Sequence, residues 1–116
     1  MKRFGVAALA LAVWAGPAWA DDGGEAVFKS SCGACHSLSQ NRVGPPLAGV
    51  VGRAAGAVSN YLYSAAIRNS GLIWTEDKLD AFLISPKTVV PDTKMTFNGI
   101  RDAVRRQALI AYLKSH

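Results

Sequence analysis

The sequence has little of several features that would mark a larger or more specialised protein. Its 116 residues suffice for one domain, and its two cysteines are too few for a disulfide-rich scaffold. A composition that is 50% hydrophobic and 18% charged excludes intrinsic disorder and a fibrous repeat. The net charge is +5, but residues 21–116 carry only eleven basic against eight acidic side chains. That excess is too small to predict nucleic-acid binding.

The N-terminus has the pattern of an export signal. Two basic residues precede a ten-residue apolar run, 4–13, and after a Gly-Pro break the A-W-A at 18–20 fits a cleavage site. We therefore expect residues 1–20 to be a cleaved signal peptide and residues 21–116 to be a single domain in the periplasm. The alternative is an uncleaved anchor, although an uncharged stretch of this length is marginal for spanning a bilayer. No later segment is long enough to cross one.

Apolar periodicity and capping residues predict an all-α fold with four to five short helices. Helices are expected over 24–31 and 61–69, and a third should begin after Thr75, whose side chain can cap it. Pro86 should end that third helix. Asp102 can cap the last helix, whose apolar positions recur at helical spacing. No stretch alternates convincingly at period two, so no strand is expected.

Two long loops, 37–60 and 86–101, are expected from their glycines and prolines. Loops of this length are uncommon inside a compact domain unless something organises them. Four short helices in fewer than 100 residues also bury little apolar area. Small domains of this kind usually contain a disulfide, a metal or another stabilising group.

Residues 32–36 form a C-x-x-C-H motif, which is the attachment signature of haem c. Cys32 and Cys35 can each add to one haem vinyl group, and His36 then lies under the ring with an imidazole nitrogen for iron. A thioredoxin-like redox pair would need a βαβ pattern, and a zinc site would need more ligands. A disulfide across so short a loop would stabilise almost nothing. The motif therefore predicts one covalently attached haem c with its iron.

Few residues remain as candidates for the second axial ligand. Met95 is the only methionine after position 20, and it lies in a loop rather than on an apolar helical stripe. The alternatives are Lys94, its neighbour, and His116 at the C-terminus. A lone methionine usually fills a gap in a core. With a haem predicted and few rivals present, His/Met ligation through Met95 is the favoured interpretation.

Four further segments accompany the C-x-x-C-H motif. They are G-P-P-L-A-G with a following G-R at 44–53, G-L-I-W at 71–74, V-P-D-T-K-M-T-F at 90–97 and L-I-A-Y-L-K at 109–114. Together they resemble the class I cytochrome c family over nearly all of residues 21–116. The resemblance implies the cytochrome c fold, in which short helices and long loops surround one haem. Asp92 departs from the family's usual glycine, at a position where aspartate tolerates a positive φ better than most residues.

The resemblance also implies roles for individual residues. Pro45 corresponds to the proline whose carbonyl accepts the other N–H of the ligand histidine. Tyr63 and Trp74 correspond to donors to a haem propionate, Arg53 to a positive charge near it, and Thr93 to a further residue that reaches a propionate. Such partners matter because burying an unpaired carboxylate is costly. Four residues correspond to the packed crossing of the first and last helices: Gly24, Phe28, Leu109 and Tyr112.

These features predict electron transfer and not an enzyme. An iron held by both His36 and Met95 has no open position for a substrate, yet the same two ligands suit both oxidation states. We expect the protein to be a monomer whose partners are an electron donor and an electron acceptor with acidic docking faces. This expectation rests on basic residues that match or neighbour those around the haem edge in the family: Arg42, Lys87, Lys94 and Arg101.

Two other functions are compatible with the same motifs. The chain could be a dedicated cytochrome subunit of a periplasmic oxidoreductase, which an exposed apolar patch around the haem edge would favour. It could also be a sensor of gases or small ligands, which would require Met95 to leave the iron easily.

Overall fold

The computed structural model of the chain describes residues 2–8, 10 and 23–116. The predicted signal peptide therefore lies largely outside the described residues. Five α-helices follow in chain order, with the first continuing directly into a π-helical turn over Phe28–Cys32. They are α1 Gly24–Val27, α2 Ala65–Arg68, α3 Glu76–Ile84, α4 Pro86–Val89 and α5 Ala103–Lys114.

The described part of the chain contains no strand, and its one β-like contact is an antiparallel bridge between Ala54 and Ile73. The all-α class is confirmed. Within the same residues, every helix is too short or too polar to cross a membrane.

Side-chain caps set the start of three helices, because each satisfies backbone N–H groups that have no partner within the helix. The Thr75 hydroxyl accepts from the N–H of Lys78 at 3.2 Å, as the sequence predicts. Asp102 accepts from the N–H of Val104 at 2.9 Å, which confirms it as the cap of α5. Ser64 caps α2, and its extended backbone explains why that helix does not begin at residue 61.

Two further predicted boundaries differ from the structure. The segment 24–31 is not a uniform α-helix, since its second half widens into the π-helical turn that ends at Cys32. Pro86 ends α3 as predicted, but it also occupies the first turn of α4, so the loop expected from 86 begins with a helical turn. Proline is favoured at this position because its missing N–H would have no partner there.

The first and last helices cross at close range. A side chain on Gly24 would collide with the Ala108 carbonyl and the Tyr112 Cβ, so only glycine allows this approach. The Phe28 and Tyr112 rings lie 5.5 Å apart between centroids, and Leu109 beside them is 0% exposed. The predicted crossing is confirmed, and it packs against α5 the helix that continues into the C-x-x-C-H segment.

A buried arginine connects α5 to the second long loop. The Arg106 guanidinium donates to Asp80 of α3 at 2.9 Å and to the carbonyls of Ile100 and Arg101 at 3.0 and 2.9 Å. The Ile100 N–H in turn donates to the Leu83 carbonyl at 2.7 Å. Because a buried cation is costly unless it is fully paired, these contacts hold the end of the loop in one place. No local pattern in the sequence predicts this role of Arg106.

The helix crossing yields a first prediction. Gly24→Val should lower the free energy of unfolding by about 1–3 kcal/mol, because the new side chain forces α1 away from α5. Ala26→Val is the matched control, since Ala26 is exposed on the same helix and should lose less than about 1 kcal/mol. Denaturant unfolding measures both. Equal losses would show that the crossing tolerates a larger side chain.

Candidate haem site

The C-x-x-C-H segment forms a tight turn at the end of the first helix. The π-helical turn closes with the Gly33 N–H donating to the Phe28 carbonyl at 2.9 Å. The N–H groups of Cys35 and His36 both donate to the Cys32 carbonyl, at 3.1 and 2.8 Å. This turn places the two cysteines and the histidine side by side on one short segment.

The two thiols are free and differ in their surroundings. Cys32 is buried and Cys35 is exposed, and neither forms a disulfide. Burial raises the pKa of the Cys32 thiol to about 11, with a smaller contribution from the neighbouring Cys35. Cys32 is therefore a protonated thiol at neutral pH and does not repel an apolar group packed against it.

His36 is oriented by a backbone carbonyl. Its Nδ1 lies 2.8 Å from the Pro45 carbonyl oxygen. Since a carbonyl can only accept, Nδ1 carries the proton and Nε2 keeps its lone pair for a metal. Partial burial lowers the pKa of His36, and the hydrogen bond to Pro45 opposes that shift only in part. The imidazole is therefore neutral at pH 7, which is its ligating form.

Gly44 fits closely against this imidazole. A Cβ at Gly44 would collide with the His36 ring, so glycine is required for the approach. The Gly44 N–H donates to the Cys35 carbonyl at 2.8 Å. The loop that supplies the Pro45 carbonyl is thus attached to the cysteine turn itself. The sequence contained Gly44 within a recognised motif, but its contact with His36 was not foreseen.

Met95 lies in a loop whose backbone has one unusual turn. Its side chain is half-buried against the hydrophobic core, and its N–H donates to the Thr93 hydroxyl at 3.3 Å. Asp92 has a φ of 66°, which confirms the expected left-handed conformation at this departure from glycine. The Thr93 N–H closes the turn on the Val90 carbonyl at 3.1 Å.

The alternative ligands are engaged in other contacts. The Lys94 ammonium donates to the Leu62 carbonyl at 2.6 Å and lies 4.7 Å from the centre of the Tyr61 ring. His116 stacks on Tyr112 with ring centroids 4.2 Å apart, and its Nδ1 lies 2.7 Å from the Tyr112 carbonyl. These contacts hold the side chains of Lys94 and His116 at the surface.

The residues implied as propionate partners have different environments. Tyr63 accepts from the Val58 N–H at 3.1 Å and keeps its own hydroxyl proton to donate. Trp74 is buried, its ring lies 4.8 Å from that of Phe82, and its indole N–H has no partner among the residues that the structure describes. The Arg53 guanidinium instead donates to the carbonyls of Pro46 and Ala48, at 2.9 and 3.1 Å. Arg53 thus braces the loop after Pro45.

These donors fit a haem. The described residues offer two free thiols, a neutral imidazole with a free nitrogen, and a thioether against the core. They also offer hydroxyl and indole protons that no protein acceptor uses, which suits a bound carboxylate. The four basic residues expected near the haem edge are all exposed, and Arg42 is joined to the cysteine turn by a bond to the Gly33 carbonyl at 2.8 Å.

Comparison with known proteins decides the family. The family model described as cytochrome c matches residues 22–116. The chain belongs to the cytochrome c family. It is 43% identical over 116 residues to cytochrome c2 of Blastochloris viridis, covering 96% of this chain and 89% of the relative. It is 46% identical over 93 residues to the cytochrome c-type cyt cy of Rhodobacter capsulatus, covering 79% of this chain but only 47% of the relative.

A solved structure supports the same conclusion. Cytochrome cH from Methylobacterium extorquens superposes with a TM-score of 0.77 at 46% identity, covering 80% of this chain and 95% of that one. The predicted cytochrome c fold and family are therefore confirmed. As a member of the cytochrome c family, the chain carries one covalently attached haem c with its iron and transfers electrons.

The contact between Gly44 and His36 yields a second prediction. Gly44→Ala should displace the imidazole and lower the free energy of unfolding by about 1–3 kcal/mol, with a changed ferric absorption spectrum. Val43→Ala is the control, because Val43 is the exposed neighbour and its backbone contacts survive the change. Absorption spectra and thermal melts of both haem-loaded variants provide the measurement. An unaltered spectrum in Gly44→Ala would contradict the tight fit.

Proposed function

We propose that this cytochrome carries single electrons between redox proteins of the periplasm, with haem held by four residues. Cys32 and Cys35 form the thioethers, and His36 and Met95 are the axial ligands. The observation that carries this assignment is the hydrogen bond of His36 Nδ1 to the Pro45 carbonyl, which leaves Nε2 free. The half-buried Met95 thioether supports it from the second long loop.

The chain's own residues favour rapid exchange of an electron. Haem c, when bound, supplies an iron that alternates between the ferric and ferrous states. His36 is held by Pro45, and the Met95 loop is held by Thr93 and by the bonds of Arg106 to Ile100 and Arg101. Because these ligands suit both states, little must move when the charge changes. Two ligands also leave no open position for a substrate, which is why we propose a carrier and not an enzyme.

We propose that a set of polar residues binds the haem propionates. Among residues 2–8, 10 and 23–116, no group accepts the side-chain proton of Tyr63, Trp74 or Thr93, so each can donate to a carboxylate without breaking an existing bond. Arg53 is proposed to add a positive charge near the propionates, while its guanidinium donates to the carbonyls of Pro46 and Ala48. These donors would compensate the cost of placing a carboxylate away from water.

The exposed basic residues are proposed to guide acidic partners to the haem edge. Four of them carry the argument: Arg42, Lys87, Lys94 and Arg101. Charges of this kind raise association rates at low salt and lose their effect as salt screens them. We propose a monomer that meets its donor and acceptor in turn.

One observation favours a second candidate, a permanent cytochrome subunit of a periplasmic oxidoreductase. Val43 and Leu62 are 72% and 82% exposed. They lie on neighbouring loops, because Tyr61, next to Leu62, donates to the Val43 carbonyl at 2.6 Å. Large exposed apolar side chains close together are typical of a surface that is covered by another protein.

Replacing Met95 tests the ligand assignment. Met95→Ala should retain covalent haem, because Cys32 and Cys35 are unchanged, and should lose the weak near-infrared band of sulfur bound to ferric iron. The reduction potential should fall by on the order of 100 mV, since the thioether no longer favours the ferrous state. Thr96→Ala, an exposed change in the same loop, serves as the control. A near-infrared band that persists in Met95→Ala would exclude this methionine as the ligand.

Export and assembly can be tested on the protein from its native cells. We propose that residues 1–20 are removed as a signal peptide and that 21–116 is one haem-bearing domain. Intact mass should match Asp21–His116 plus one haem, in the periplasmic fraction. Gel filtration of the same extract should show a single small species for a free carrier. Elution with a larger oxidoreductase would instead support the subunit, and a mass that includes residues 1–20 would support the anchor.

A further inference from the structure

Tyr61 contacts the loop whose Pro45 carbonyl orients His36 and also the loop that carries Met95. On one side its hydroxyl donates to the Val43 carbonyl at 2.6 Å. Val43 directly precedes Gly44 and Pro45, the two residues that hold the His36 ring. A change in the position of Tyr61 is therefore passed along three consecutive residues to the histidine side of the site.

On the other side, Tyr61 contacts the methionine loop through Lys94. The Lys94 ammonium lies 4.7 Å from the centre of the Tyr61 ring, within the range of a cation–π interaction. The same ammonium donates to the carbonyl of Leu62, the next residue after Tyr61, at 2.6 Å. Lys94 directly precedes Met95, so two adjacent residues, 61 and 62, hold the backbone next to the thioether.

The ring that makes these contacts is itself fixed. Tyr63 meets Tyr61 edge to face, with centroids 4.8 Å apart and planes at 71°. The Tyr63 hydroxyl is held in turn by the Val58 N–H at 3.1 Å. Tyr61 is half-buried, and the contact with Tyr63 restricts the orientations that its ring can adopt.

A second bond joins two of the same segments without reaching the methionine loop. The Asn41 amide donates to the Asn60 carbonyl at 2.7 Å. Asn41 thus connects the loop of Val43 to the segment before Tyr61, and it forms no hydrogen bond with Lys94 or Met95. Replacing Asn41 and replacing Tyr61 can therefore distinguish a general attachment between these loops from a specific connection to the Met95 thioether.

We propose that Tyr61 is a positioning residue. It joins the loop that contains Val43 and Pro45 to the loop that contains Met95, and it holds the Met95 loop in its closed position. This inference rests on the proposed function, in which Met95 binds the iron. Without the Tyr61 ring, Lys94 loses one of its two partners, and the backbone beside Met95 is free to move outward. Without the hydroxyl alone, the methionine loop stays attached to the ring, but its connection to Val43 is lost.

The rate at which imidazole replaces the thioether on ferric iron measures how often the loop opens. Loss of the near-infrared band follows this exchange in the haem-loaded protein. Tyr61→Leu should accelerate it about tenfold, because both the ring contact and the hydrogen bond are lost. Tyr61→Phe keeps the ring over Lys94 and should accelerate it only about threefold. Asn41→Ala should exchange at close to the rate of the unmodified protein, even where it lowers the melting temperature.

A double variant tests whether Tyr61 acts through Lys94. Tyr61→Leu in a Lys94→Gln background should accelerate exchange clearly less than it does alone, because the two contacts are coupled. Rates in Tyr61→Leu equal to those of the unmodified protein would overturn the proposal. So would an acceleration by Asn41→Ala that matches Tyr61→Leu, since that result would show general loosening of the loops.

Failure of this proposal is distinguishable from failure of the ligand assignment. If Met95 is the ligand, the near-infrared band is present in the unmodified protein and absent in Met95→Ala, whatever Tyr61 does. If the band survives in Met95→Ala, both the assignment and the Tyr61 proposal fall. If only the exchange rates fail to change, the assignment stands and the role of Tyr61 is refuted.

Discussion

The close crossing of the first and last helices at Gly24 is the constraint on which the rest of the structure depends. The helix that contains Gly24 runs without interruption into the cysteine turn, so its position against α5 decides where Cys32 and His36 lie. The same α5 carries Arg106, which holds the end of the methionine loop through the carbonyls of Ile100 and Arg101. One helix therefore positions the start of the cysteine turn and the end of the loop that carries Met95. Because so small a domain has a thin apolar core, it is an advantage that α5 alone positions both the first helix and the end of the Met95 loop.

Backbone carbonyls do most of the positioning around the site. The Pro45 carbonyl sets the orientation of His36, and the Leu62 carbonyl holds Lys94 beside Met95. The carbonyls of Pro46 and Ala48 bind the Arg53 guanidinium. Because long loops leave many such groups without helical partners, side-chain donors from elsewhere in the chain can bind them. The loops thereby become ordered, and several side-chain protons remain for the haem.

The candidate haem ligands could be predicted from the sequence, whereas several residues that hold them in position could not. The C-x-x-C-H spacing and the scarcity of methionine lead directly to the candidate ligands, and Thr75 and Asp102 mark helix starts that the structure confirms. These signals are local, since each depends on a few neighbouring residues. Arg106 and Tyr61 were not predicted because their contacts join segments far apart in the chain. The identity of a tyrosine or an arginine at a given position does not indicate which group elsewhere in the chain it will contact.

The π-helical turn over Phe28–Cys32 has a consequence for the register of the cysteines. Such a turn contains one residue more than an α-helical path would need between the same two levels. Each residue of an α-helix advances the side-chain direction by about 100° around the axis. Without the extra residue, the Cys32 side chain would point in a different direction around the helix axis, and the His36 side chain would be rotated with it. The widened turn thus acts as a one-residue insertion that sets the direction of the side chains that follow it. It allows the helix to pack against α5 at Gly24 while the Cys32 side chain still points into the interior.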